Sequence, residues 1–168
     1  MSKKRTSVAS SDGVLVDAIR AASRQMVREL GFLQTTLAAT DYPPSAVHTL
    51  IEIGARQSMT ASEVTEFLGL EKSSVSRMLR KLITAGELIE STSAADARIK
   101  DLKLTRKGQK SRAAIEAFGR HQVSSALAHL TPPEQEAVRM GLTTYAAALA
   151  RRRKRHMPAA AKLPIAQS

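Results

Sequence analysis

The residues best suited to binding chemistry lie within residues 72–82, where serines and cations alternate with aliphatic side chains. At helical spacing, Val75, Leu79 and Leu82 share one face, and the polar side chains lie away from it. Serines let the helix backbone approach a partner closely, and arginine reaches a guanine edge or a phosphate. Taken alone, the pattern is equally typical of an amphipathic core helix with a solvated basic face. The residues predicted to contact nucleic acid here are Lys72, Ser73, Ser74, Ser76, Arg77, Arg80 and Lys81.

A second cationic group, Arg98 and Lys100, follows Asp96 in a polar stretch between two short apolar runs. The runs, residues 88–91 and 101–104, have strand-like character, so the stretch is predicted to form the tip of a β-hairpin. An arginine projected from such a loop suits the narrow minor groove of duplex DNA, where the negative potential is highest. Asp96 is interpreted as the residue that orients a neighbouring cation. The alternative for this tip is an ordinary exposed turn with little energetic content.

A helix-turn-helix is predicted to position the first cationic group. Thr60 and Glu63 have the S/T-x-x-E spacing of a capping box, which predicts a short helix that ends at Gly69. A second helix is predicted from about Lys72 and is stopped by Gly86, a typical residue just past a helix end. In a helix-turn-helix, the second helix enters the major groove with its first residues facing the bases.

Longer helices are predicted on both sides of this segment. Apolar residues at steps of three and four predict a helix over residues 12–39, and a further helix is predicted over 45–56. After Thr105, one helix runs to about Leu130, and the Thr131 capping box begins another. The predicted fold class is therefore mainly α with a small β-hairpin wing, a winged helix-turn-helix flanked by long N- and C-terminal helices.

Apolar stripes on the flanking helices predict a dimer. A single winged helix is small, so such long helices need somewhere to bury apolar area. The alternative is that both stripes cover only the protomer's own core. In the dimer interpretation, the domain spans residues 12–150, with a winged-helix core at 45–105 and dimerisation helices at 12–39 and 106–150.

Positive charge is concentrated in one internal segment and at the two ends. The chain has a net charge of +11, and residues 71–112 hold eleven lysines and arginines against five acidic residues. Residues 1–11 and 151–168 are expected to be a disordered basic arm and a disordered basic tail. Focused positive charge suits a protein that contacts phosphates, although basic ends also serve solubility.

The sequence lacks the residues that several other classes of function require. The chain has no cysteine, which excludes disulfides, thiolate metal sites and cysteine nucleophiles. The four histidines show no metal-ligand spacing, since the nearest pair, His121 and His129, is eight residues apart, and no serine lies in a nucleophile elbow. No apolar run approaches the roughly 18 residues of a membrane span, and no secretory signal is present. We therefore expect a cytoplasmic protein with no catalytic or metal site, no cofactor and no membrane association.

The run from Thr60 to Gly108 resembles the MarR family of winged-helix regulators. The resemblance is carried by residues 68–77 (LGLEKSSVSR), by Asp96-Ala-Arg98, and by the Leu-Thr-x-x-Gly element that ends at Gly108. In that family, the first and last helices intertwine as a dimer, the recognition helix reads the major groove and the wing arginine enters the minor groove. The resemblance implies that the base and phosphate contacts are Ser73, Ser74, Ser76 and Arg77, with Arg98 as the wing contact.

The same resemblance implies a sequence-specific regulator of transcription that acts as a homodimer on double-stranded DNA. Two-fold symmetry predicts a pseudo-palindromic operator with half-sites roughly 34–36 Å apart. The resemblance to this family also implies a small-molecule effector, in addition to duplex DNA and a second copy of this chain. Residues 19–33 also resemble the regulator part of fusions with a GNAT acetyltransferase, and we expect the enzyme half to be absent. The alternatives are a winged helix that binds proteins and a regulatory module associated with an acetyltransferase.

Overall fold

The computed structural model describes residues 11–92 and 100–156. Over these residues the chain is mostly helical with one small sheet, and no described helix is long and apolar enough to cross a membrane. The mainly α fold class with a β-hairpin is confirmed. In chain order the elements are α1 (Ser11–Glu29), α2 (Pro44–Arg56), β1 (Met59–Thr60), α3 (Ala61–Leu68), α4 (Lys72–Thr84), β2 (Leu88–Thr92), β3 (Lys100–Leu104), α5 (Arg106–Leu127) and α6 (Pro132–His156).

The sheet is antiparallel with the order β1-β3-β2. Leu88 pairs with Leu104 and Thr92 with Lys100, so β2 and β3 form the predicted hairpin. The third strand was not predicted, because two residues are too few to show an alternating pattern. Its pairing of Met59 with Leu102 ties the hairpin to the segment that leads into α3.

The hydrophobic core lies among α2, α3, α4 and the sheet. The predicted inward face of α4 is confirmed, because Val75, Leu79 and Leu82 are all buried. Such burial fixes the rotation of α4 about its own axis, and so decides which of its side chains face solvent. The remaining buried apolar residues are Ala46, Val47, Leu50, Ile53, Met59, Val64, Leu88, Leu102 and Ile115.

Local signals set the ends of α3 and α4 as predicted. The Glu63 amide donates to Thr60 Oγ1 at 3.2 Å, and the Thr60 amide donates to Glu63 Oε2 at 2.7 Å, which completes the capping box. The Thr60 hydroxyl also donates to Glu63 Oε2 at 2.8 Å, and the two hydrogen bonds that the carboxylate accepts from the Thr60 backbone and side chain hold the pKa of Glu63 below its usual value. Gly69 ends α3 in the left-handed conformation (φ 63°). Gly86 ends α4 in the same way (φ 72°), and hydrogen bonds from Gly86 and Glu87 back to the last turn form a Schellman motif.

The predicted N-terminal helix over residues 12–39 is wrong in its second half, since α1 ends at Glu29. Gly31 adopts a left-handed φ of 78°, and the Phe32 amide donates to the Val27 carbonyl in a second Schellman motif. The apolar pattern continued past this end because Leu37 packs against the core from a turn rather than from a helix. The apolar periodicity of the sequence therefore extends beyond the residue at which the helix ends.

The basic stretch after residue 150 is helical as far as His156, so the expectation of disorder is wrong for residues 151–156. Alanine and arginine are both strong helix formers, and cations near a helix C-terminus interact favourably with its dipole. The chain forms two compact units that divide after Arg120, within α5, and the whole of α6 belongs to the second. Residues 1–10, 93–99 and 157–168 lie outside the described residues.

Candidate nucleic-acid interface

The face of α4 that points away from the core is polar and cationic. Successive residues of a helix are 100° apart around its axis. On the side of α4 opposite Val75, Leu79 and Leu82, this spacing places one row of residues along the whole length of the helix. All its members are exposed, so a continuous ridge is open to solvent. The row consists of Ser73, Arg77, Arg80 and Thr84.

The other predicted α4 residues lie on the two flanks of this row. Ser74 and Lys81 flank it on one side, where they line a groove of about 520 Å³ with residues 41–46. Lys72 and Ser76 lie on the opposite flank, and all four are exposed. Thr84 was missed by the sequence prediction, although its place on the ridge follows from extending the same helical pattern by one turn.

The cations of α4 have no acidic partner within the parts of the chain that the structure describes. No described carboxylate lies at ion-pair distance from Lys72, Arg77, Arg80 or Lys81. The Arg77 guanidinium makes only a long 3.4 Å contact with Ser74 Oγ, one turn earlier. Several cations on other helices are paired with acidic residues, as in the pairs of Arg56 with Glu52 and of Arg120 with Glu116. Among the described residues, no acidic side chain compensates the positive charge of the α4 ridge, which an anionic polymer would neutralise.

At the wing, the structure shows the strands that lead to the predicted tip. Lys100 begins β3, and its Nζ lies 2.9 Å from Glu90 Oε2 on the neighbouring strand. Both side chains are well exposed, so this ion pair is worth at most about 1 kcal/mol and is easily exchanged for a phosphate. Asp96 and Arg98 lie outside the described residues, and their roles stay predictions.

A buried carboxylate joins the end of α4 to its neighbours. Glu87 is 1% exposed, and its Oε1 accepts a 2.8 Å hydrogen bond from the Tyr42 hydroxyl and lies 3.3 Å from Lys107 Nζ. Burial, together with this hydrogen bond, raises the pKa of Tyr42 to about 12, so the phenol remains a donor at neutral pH. Lys107 Nζ also donates to the Ala85 carbonyl. These contacts hold the α1–α2 segment, the end of α4 and the start of α5 together behind the ridge.

This buried cluster could not be predicted from the sequence, because Glu87 follows a turn glycine and has the pattern of an ordinary surface residue. The half-buried His48 is likewise accounted for by packing. Its ring stacks on Phe32 with centroids 5.6 Å apart, and burial lowers its pKa. Among the described residues, no three side chains of the metal-binding types cluster together.

Comparisons with known proteins agree with this architecture. Residues 40–99 match the family model of the MarR family. The sequence matches none of the curated proteins with which it was compared. The fold is similar to solved structures across nearly their whole length, and at these low identities the likeness establishes the fold. FabT of Streptococcus pneumoniae, solved in complex with DNA, is 22% identical over 81% of this chain and 97% of its own, with a TM-score of 0.69.

Two further structures show the same likeness. The reduced form of MarR from E. coli is 20% identical, covers 78% of this chain and 95% of its own, and gives a TM-score of 0.61. Bordetella bronchiseptica BpsR is 18% identical, covers 79% of this chain and 98% of its own, and gives a TM-score of 0.59. The BpsR structure was reported with a mechanism by which 6-hydroxynicotinic acid regulates the DNA binding of BpsR.

Proposed function

We propose that this protein is a regulator of transcription that binds specific double-stranded DNA as a homodimer, because residues 40–99 match the family model of the MarR family. The observation that carries the proposal is the exposed ridge of α4, whose cations have no acidic partner among the described residues. On other surface helices, cations pair with carboxylates one turn away, as Arg112 and Arg120 of α5 do with Glu116.

In this proposal α4 lies in the major groove. Ser73 and Arg77, in the first half of the ridge, are placed to meet base edges, as the N-terminal residues of a recognition helix do. Arg77 is the residue best suited to guanine, which it can bind through two parallel hydrogen bonds. The flanking residues contact the backbone on either side of the groove, which fixes the register of the helix. They are Lys72, Ser74, Ser76 and Lys81.

The wing completes the DNA contact. Lys100 lies at the loop end of the hairpin strands and is proposed to leave Glu90 for a phosphate. Arg98 is proposed to enter the adjacent minor groove, with Asp96 orienting it. The buried contacts of Glu87 support this arrangement, because they hold the end of α4 beside the strand that begins the wing.

The dimer is supported by apolar side chains that the protomer leaves exposed. On α1 these include Val14, Leu15 and Val16, each more than half exposed. On α6 no described residue is buried, although the helix carries several large apolar side chains. Exposed apolar side chains grouped on a helix mark a surface that packs against a partner. We assign the exposed apolar side chains within residues 12–39 and 106–150 to this interface and residues 45–105 to the winged-helix core.

A small-molecule effector is the third proposed partner. The groove of about 520 Å³ beside α4 is lined by the phenol of Tyr42, the thioether of Met78 and the cations Arg77 and Lys81. A ligand held there would compete directly with DNA for the same two cations. As a DNA-binding regulator of this family, the protein is proposed to work in the cytoplasm and to have no catalytic activity.

The Arg77→Ala variant tests the proposal. We expect it to lose about 1–3 kcal/mol of affinity for the operator and to bind with relaxed specificity, because a base contact disappears. Affinity is to be measured by fluorescence anisotropy on an operator duplex and on a duplex of random sequence. The matched control is Arg120→Ala, which removes the same charge from an exposed site on α5 and should change operator affinity by less than about 0.5 kcal/mol. Equal operator affinity in both variants and the wild type would refute the role of Arg77.

The same measurement distinguishes the proposed function from its main alternative, a winged helix that binds proteins. A winged helix that binds proteins instead of specific DNA would show no preference for any duplex in the wild-type protein. Its weak binding would come from backbone contacts alone and would not depend on sequence.

A further inference from the structure

Met78 of α4 is a methionine that contacts both the hydrophobic core and a solvent-filled groove. Its side chain packs against the core and is half-buried. The same side chain lines the groove of about 520 Å³, together with the cations Arg77 and Lys81. Methionines are the only sulfur-containing residues of the chain, since it has no cysteine. A small oxidant that enters the groove therefore reaches a thioether beside the α4 ridge.

The other methionines of the described chain differ from Met78 in their access to solvent. Met59 is 1% exposed and lies in the core. Met26 and Met140 are 40% and 56% exposed in the protomer, but they belong to the apolar side chains that we assign to the dimer interface. In the proposed dimer, Met78 is therefore the described methionine that combines packing against the core with access from solvent.

The polar group next to the sulfur of Met78 is already engaged. Thr49 is fully buried, and its Oγ1 lies 3.8 Å from Met78 Sδ. The shorter contact of this hydroxyl is a 2.8 Å hydrogen bond that it donates to the Ser45 carbonyl, so its single proton is committed there. A thioether suits such a place, because sulfur is only a weak acceptor and packs like an apolar group.

Oxidation of the sulfur would make this place unfavourable. When a peroxide reacts with a thioether, its O–O bond breaks and an S–O bond forms. The sulfur loses two electrons, and the peroxide is reduced to water or an alcohol. A sulfoxide oxygen is polar, and without a donor it is costly to hold against an apolar core. It gains donors by turning into the groove, where Arg77 and Lys81 lie. Met78 then leaves its core packing and occupies two cations that the proposed function assigns to DNA.

We propose that Met78 is a site of reversible oxidation by peroxides, and that its sulfoxide lowers the affinity of the α4 ridge for DNA. The effect on DNA rests on the proposed function, whereas the modification and the loss of core packing do not. Methionine sulfoxide reductases return the sulfoxide to the thioether. In this proposal the protein releases its operator under oxidising conditions and binds it again after repair.

The test treats the wild type, Met78→Leu and Met140→Leu with hydrogen peroxide, and compares each protein with its own untreated sample. Leucine keeps about the volume of methionine and has no sulfur. Peptide mass spectrometry reports oxidation at each methionine, urea unfolding reports stability, and fluorescence anisotropy reports operator affinity. We expect Met78 to be oxidised ahead of Met26, Met59 and Met140. Operator affinity should fall about tenfold or more in the wild type and in Met140→Leu. In Met78→Leu it should fall by less than about twofold.

Repair and the remaining outcomes decide the inference. Methionine sulfoxide reductases should restore both the stability and the operator affinity of the oxidised wild type. If Met78 stays unmodified while Met26 or Met140 is oxidised, the inference is overturned. It is also overturned if oxidation weakens the wild type and Met78→Leu equally, since Met78→Leu retains Met1 and Met157. If the untreated wild type does not prefer operator to random duplex, the proposed function fails, while peptide mapping and unfolding still decide the modification.

Discussion

Replacing Gly108 with alanine is expected to lower the free energy of unfolding by about 3 kcal/mol. Gly108 lies in the first turn of α5, directly against the backbone of Glu87. A Cβ at this position would overlap the Glu87 carbonyl oxygen and would lie 3.2 Å from Leu104 Cδ2. The carbonyl cannot move freely, because it accepts a 3.0 Å hydrogen bond from the Thr105 amide. The strain must therefore spread into the junction of α4 and the wing.

Gly119→Ala is the matched control, since Gly119 lies in the same helix and nothing lies within 4 Å of its added Cβ. This variant should be more stable than the wild type by about 0.5–1 kcal/mol, because alanine favours the helix. Both variants are compared with the wild type by urea unfolding at one protomer concentration, since the stability of a dimer depends on concentration. If Gly108→Ala unfolds at the same urea concentration as Gly119→Ala, the close approach of α5 to Glu87 is contradicted.

The double variant L142D/L149D is expected to be monomeric and to bind the operator at least 100-fold more weakly. Leu142 and Leu149 are 43% and 47% exposed in the protomer, and we place them in the dimer interface. An unpaired carboxylate costs several kcal/mol to bury, and two-fold symmetry doubles the number of such charges. A monomer also loses the gain of about 10²–10⁴ in affinity that comes from linking two half-site contacts. Sedimentation reports the assembly, and anisotropy reports operator binding.

Leu70→Asp provides the control for assembly. Leu70 is 46% exposed, nearly the same as Leu149, but it lies in the turn between α3 and α4. Because the chemistry and the exposure are matched, this variant should sediment as the wild-type dimer. If the L142D/L149D protein still sediments as a dimer, Leu142 and Leu149 do not lie in the dimer interface.

The parts of the fold that were predictable are those with local signals. The Thr60 capping box, the glycines at positions 69 and 86, and the helical spacing of the α4 core residues are each explained by residues within one or two turns. These signals sufficed for the helix-turn-helix, for the orientation of α4, and hence for most of the candidate contacts. The hairpin strands were predictable because their apolar runs were separated by a polar loop.

The parts that were not predictable depend on contacts between distant segments. The strand β1 exists because Met59 and Thr60 pair with β3, more than forty residues later. The buried state of Glu87 depends on Tyr42, 45 residues earlier, which no pattern around position 87 reveals. The end of α1 was not predicted, because Leu37 packs against the core from a turn and so continues the apolar pattern beyond the helix. The roles of Asp96 and Arg98 remain predictions, because these residues lie outside the described part of the chain.

The central claim is that the exposed ridge of α4 reads duplex DNA within a symmetric dimer. Selection of bound sequences from random duplex DNA tests this claim most directly, because it reports base preference and half-site spacing together. We expect an inverted repeat whose half-sites are about 10–10.5 base pairs apart, or a multiple of that spacing. We also expect Arg77→Ala to lose the preference at one position in each half-site. Recovery of no preferred sequence, or of a single unrepeated site that Arg77→Ala selects equally well, would contradict it.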